Sequence, residues 1–162
     1  MTRIDERFLI GIGNPFRGDD GVGPWIASRL RGRPGLRVTE SKGEVSELIQ
    51  YFQESPYLIV IDALSSGIKA GAWRSFEAHR EALPADSFQV STHGFGLHEA
   101  IELARAMGRL PKSLIVYGIE GKDFSPGTGL SPEVEKGAKG LLREIEVKFL
   151  NHEKETPCMK SV

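Results

Sequence analysis

The chain has 162 residues, 40% of them hydrophobic, with 21 basic and 22 acidic side chains and a formal net charge of −1. That length and mix suit one folded domain with a buried core, and the balanced charge gives no electrostatic footprint for nucleic acid. The single cysteine, Cys158, excludes a disulfide framework within the chain and argues against a thiolate zinc site.

Residues Arg7 to Gly13, RFLIGIG, read as a buried strand. This apolar run is too short for a secretory signal, and no run in the chain approaches the ~20 residues of a membrane span, so the expectation is a cytoplasmic protein with no membrane partner. After the strand comes GIGNPFRGDDGVGP, Gly11 to Pro24, which looks like a phosphate loop but carries two adjacent acids, Asp19 and Asp20. Val22, Trp25, Ile26 and Leu30 then recur at helical spacing, with Pro24 suited to a first turn.

Leu36 to Glu40 reads as a short strand, and Ser41 to Glu44, SKGE, as a capping box. The helix it opens carries Val45, Leu48, Ile49 and Phe52 on one stripe. Tyr57 to Ala63, YLIVIDA, is the clearest buried strand, and Asp62 stands at its end. The segment around Trp73 reads as a half-solvated strand that can run antiparallel.

Phe88 to Gly96, FQVSTHGFG, reads as a strand ending in His93. Leu97, Ile101 and Ala104 mark the next helix, closed by Gly108 and Pro111. Ser113 to Glu120 is another buried strand, and its Glu120 reads as a turn acid ahead of Gly121. Ser131 and Pro132 open the last helix, with Val134, Ala138, Leu141, Ile145 and Phe149 facing inward. His79, His98 and His152 read as surface residues. The expected organisation is a single α/β domain over residues 1–150 and a C-terminal tail over 151–162.

Alternating strands and helices imply a three-layer α/β domain, a twisted and mostly parallel sheet of about five strands with helices on both faces. In such folds the ligand site lies beyond the carboxyl ends of the strands. Asp20, Asp62 and His93 are the chemistry-bearing residues at strand ends. Two carboxylates and an imidazole form a set that can hold a divalent transition metal or do general acid/base work. Each also has a purely structural reading: Asp20 at a helix dipole, Asp62 capping a turn through Ser65 or Ser66, His93 as a satisfied loop residue.

Other motifs are missing or incomplete. Gly11 and Gly13 lack the third glycine of a dinucleotide loop, because Phe16 stands there. The chain has no P-loop lysine motif, no HExxH and no GxSxG elbow.

GIGNPFRGDDGVG, VIDALSSG, STHGFGLHEAIELARAMGRLP and VYGIEGKDFSPGTGLSPEV, in this order, resemble the [NiFe]-hydrogenase maturation proteases. The likeness runs from about Phe8 to about Leu150. It implies a single α/β domain with a mostly parallel five-stranded sheet. It implies a cytoplasmic endopeptidase that removes a C-terminal peptide from the hydrogenase large-subunit precursor after nickel insertion. The family's metal-contacting residues carry over to Asp20, Asp62 and His93, and its loop-shaping residues to Gly11, Gly13, Asn14 and Asp19. The nickel then belongs to the substrate and is not a resident cofactor. Whether it is catalytic or only recognised stays open at this point, and a monomer is expected. The alternative is a non-catalytic nickel-binding or nucleotide-binding accessory module. Asp19 and Asp20 weigh against the nucleotide, since two carboxylates repel a phosphate and attract a cation.

Overall fold

The computed structural model describes residues 6–84, 86–88 and 96–151. Among these residues five strands form one sheet: β1 (Arg7–Ile12), β2 (Leu36–Ser41), β3 (Tyr57–Leu64), β4 (Trp73–Glu77) and β5 (Ser113–Glu120). Their order across the sheet is β2-β1-β3-β5-β4. The first four in that order are parallel, and β4 runs antiparallel against β5. The antiparallel option at Trp73 is therefore the one the chain takes.

Four helices among the described residues cover the sheet: α1 (Val22–Leu30), α2 (Val45–Phe52), α3 (Leu97–Ala106) and α4 (Pro132–Ile145). A further helical turn, Glu146–Leu150, continues α4. No helix among the described residues is long and apolar enough to cross a membrane.

The central strands are buried on both faces, which is why they read as unbroken aliphatic runs. The pleat sorts their side chains. Phe8, Ile10, Ile12, Leu58, Val60, Leu64, Leu114 and Val116 meet the stripes of α2 and α3. Leu9, Ile59, Ile61, Ala63, Tyr117 and Ile119 meet α1 and α4. By the same period of two, Asp62 shares the α2–α3 side with Val60 and Leu64.

The close approach of α1 to β1 rests on two glycines. A Cβ on Gly11 would stand 2.8 Å from the Ala27 Cβ, and one on Gly23 would stand 2.7 Å from the Ile12 nitrogen. The chain thus gives up side-chain packing there so that helix and strand backbones can nearly touch.

Two local expectations need correction. Ser41 does not cap α2: it is still the last residue of β2, and its hydroxyl accepts the Gly43 N–H at 3.0 Å. Glu44 takes the cap position instead, without a side-chain hydrogen bond. His79 is not simply solvated: its Nδ1 lies 3.1 Å from the Leu114 N–H and ties the chain after β4 to β5. The expected strand over Phe88–Gly96, the expected tail from residue 152 and Cys158 lie outside the described residues, apart from Phe88 and Gly96 themselves.

Candidate active site

After β1 the chain runs left to the edge strand β2 and then returns across β1 to β3, so the strand order reverses between β1 and β3. A doubly wound sheet opens a crevice at that point, beyond the carboxyl ends of the strands. Asp20 enters it from the loop after β1, and Asp62 from β3 itself.

Asp20 sits in a 3-10 turn, Gly18–Gly21, directly before α1. The turn folds back on the β1 end because Gly13 takes φ +146° and lies against the Asp20 backbone carbonyl, where no side chain fits. The Asn14 N–H donates to Asp20 Oδ2 at 3.0 Å, and the Arg17 guanidinium lies 3.9 Å from the same oxygen. Asn14 Oδ1 in turn accepts the Phe16 N–H at 2.9 Å. Gly13 and Asn14 thus both act on the loop that presents Asp20, while Gly11 sets the helix depth beneath it.

Asp62 lies two residues before the end of β3, not at its end, and is buried among aliphatic neighbours. Its Oδ1 accepts the N–H of Ala63 at 2.8 Å. Both acids line one small cavity of roughly 30 Å³ with Ile12, Lys42 and Leu97. Phe88 and Gly96, on either side of the segment carrying His93, line it too. His93 itself lies outside the described residues.

The two carboxyls are electrostatically coupled. Burial pushes Asp20 above the ordinary carboxylate value, against the Asn14 N–H and the Arg17 charge. Burial pushes Asp62 well above it, and the negative charge of Asp20 pushes it further; the Ala63 N–H opposes both. No described group donates to Asp20 Oδ1 or Asp62 Oδ2. Among the described residues each acid thus has one oxygen without a hydrogen-bond donor.

A family model described as hydrogenase maturation protease matches residues 41–147. The chain belongs to the hydrogenase maturation protease family. It is accordingly a peptide hydrolase. A curated relative from Bradyrhizobium diazoefficiens, named hydrogenase expression/formation protein HupD, is 28% identical over 136 residues, covering 80% of this chain and 71% of the relative. The HybD hydrogenase maturating endopeptidase from E. coli shares the fold, with a TM-score of 0.73 at 23% identity over 88% of this chain and 90% of that one. The [NiFe] hydrogenase maturation protease HybD from Thermococcus kodakarensis superposes with a TM-score of 0.69 at 25% identity, over 88% and 97% of the two chains.

Two further acids of this maturation protease hold its site loops rather than face the cavity. Asp19 is fully buried, and its Oδ2 accepts the N–H groups of Lys122 and Asp123, both at 2.8 Å. The Ser131 N–H and hydroxyl add bonds of 2.7 and 2.8 Å. Ser131 thus spends its hydroxyl on Asp19 and leaves α4 without a side-chain cap. Glu120 accepts the N–H groups of Ser66 and Gly67, both at 2.9 Å, and the Ser66 hydroxyl at 2.7 Å. It supplies the turn bonds that the sequence suggested for Asp62. His98, in the first turn of α3, lies 4.0 Å from Glu99 and not in the cavity lining.

Proposed function

We propose that this maturation protease removes the C-terminal extension of a [NiFe]-hydrogenase large-subunit precursor once nickel has been inserted. Asp20, Asp62 and His93 contact the nickel carried by that precursor. The carrying observation is the pair of facing, coupled carboxyls at the β1–β3 switch point, each with one oxygen that no described group bonds. Such a pair repels itself when ionised, and a divalent cation brought between the two relieves the repulsion. Phe88 and Gly96 on the cavity wall support including the histidine between them. The names of the relatives, which speak of hydrogenase formation and maturation, support the substrate.

In this reading the chain's own groups do three things. The Asn14 N–H and Arg17 hold Asp20 in place to grip the cation. Asp62 takes the proton of the water that adds to the scissile carbonyl and returns it to the leaving amine. His93 completes the contact to the metal. Without nickel the three have nothing to grip, and an immature precursor is rejected. The enzyme works as a cytoplasmic monomer over residues 1–150.

The test is the mass of the precursor after incubation with the protein, nickel-loaded and nickel-free. Loss of a C-terminal peptide from the loaded form alone is expected. An unchanged mass with nickel transferred to the chain would favour the non-catalytic nickel-binding reading. Asp20→Ala, Asp62→Ala and His93→Ala are each expected to slow processing by about 100-fold or more.

A further inference from the structure

A second, larger hollow of about 350 Å³ adjoins the cavity of Asp20 and Asp62 and is lined by Pro24, Glu40 and Glu47 among others. That volume is at the lower end of ligand-sized clefts, roughly 300–1,000 Å³. Gly13 and Lys42 line both spaces, so the two adjoin at these residues. A polypeptide that occupies both spaces lies beside Lys42.

The charges around the two spaces are uneven. Asp20 and Asp62 line the inner space, Glu40 and Glu47 the outer one, and Lys42 is the only described cation lining either. Lys42 is exposed, and among the described residues its ammonium joins none of these acids in an ion pair. Glu40 is turned instead to Arg31, 3.2 Å away. With the inner pair taken up by the metal and Glu40 paired to Arg31, Glu47 opposes negative charge on an incoming chain and Lys42 attracts it.

We propose that the hollow is the subsite for the precursor segment flanking the scissile bond, and that Lys42 reads a carboxylate on that segment. Lys42 is a specificity residue for the peptide, distinct from the groups that contact the metal. The carboxylate is an aspartate or glutamate side chain near the bond, or the chain terminus of a short extension. Glu47 supplies the rejection of peptides whose negative charge falls elsewhere. This assignment rests on the proposed processing reaction.

The experiment measures processing of the nickel-loaded precursor by the full chain and by Lys42→Arg, Lys42→Met and Lys42→Glu. Lys42→Glu is expected to raise KM at least tenfold with kcat changed less than threefold, Lys42→Met less so, and Lys42→Arg hardly at all. Precursors in which each acid near the bond is changed singly to lysine, or whose terminus is moved away by added neutral residues, locate the partner. One of the lysine changes is expected to restore KM with Lys42→Glu; if only moving the terminus raises KM for the wild-type chain, the partner is the terminal carboxylate. Unchanged KM in Lys42→Glu overturns the assignment, as does a raised KM that no precursor change reproduces or restores. If the wild-type chain leaves the precursor intact, the processing reaction is what fails, and precursor affinity measured on the same variants decides the role of Lys42 by the same criteria.

Discussion

Asp19 and Asp20 are neighbours in one 3-10 turn, both buried, and they differ in what surrounds their oxygens. Asp19 is saturated by donors from the chain at 122–131, while one oxygen of Asp20 has no donor among the described residues. Asp19→Ala strands several buried donors and is expected to cost about 2–4 kcal/mol of stability. Asp20→Ala is expected to unfold at nearly the wild-type denaturant midpoint and to lose processing. Denaturation and activity measured on the two variants check this contrast, and a stable, inactive Asp19→Ala would overturn it. Asp62 gives the opposite stability sign. Its folded value is raised, so the folded chain holds its proton more tightly than the unfolded chain. Stability from this group is full below the unfolded value and is lost as pH rises through the folded one. Asp62→Asn is therefore expected to unfold at higher temperature than the wild type at about pH 7–8, by a few degrees, and at the same temperature near pH 4. It is also expected to be inactive. Asp62 was visible in the sequence as an acid after four aliphatics. The clamp role of Asp19 was not, because its donors lie more than a hundred positions away, from Lys122 to Ser131.

At the scale of elements, the packing of α1 on β1 is the contact the site depends on, since the Asp20 turn joins the two. Alanine is normally the better helix residue by about 1 kcal/mol over glycine. Gly23→Ala is nonetheless expected to destabilise, by about 1–3 kcal/mol, because the added Cβ meets strand backbone at Ile12 and Ile61 that has no room to give. Chemical denaturation decides the sign. The elements themselves were legible: β1, β3 and β5 as aliphatic runs, and α2 and α4 as stripes, of which Leu48, Phe52, Val134, Ala138, Leu141 and Ile145 are buried while Val45, Ile49 and Phe149 are only partly so. The capping box at Ser41 was misread because β2 runs one residue past its apolar pattern, and tertiary pairing to Ile12 holds Ser41 in the strand. Glu120 was rightly read as a turn acid, but the turn it holds is the one after β3, which only the parallel pairing of β3 with β5 brings beside it.

Across the whole molecule, two apolar clusters sit on opposite faces of one sheet and share its strands. Neither can melt without exposing the other's strands, so a single cooperative unfolding transition is expected, coincident by circular dichroism and by Trp25 and Trp73 fluorescence. The site belongs to this scale as well, because the β1–β3 switch point exists only once the sheet is assembled. The Asp19 clamp adds an order in time. Its donors at Lys122, Asp123 and Ser131 leave the ribosome more than a hundred residues after the aspartate does. The loop that presents Asp20 is therefore braced by long-range contacts whose loop closure spans more than a hundred residues. A chain ending before Lys122 lacks every donor that the structure gives to the Asp19 carboxylate. The turn that carries Asp20 thus gains its full set of braces only once the chain beyond β5 is in place.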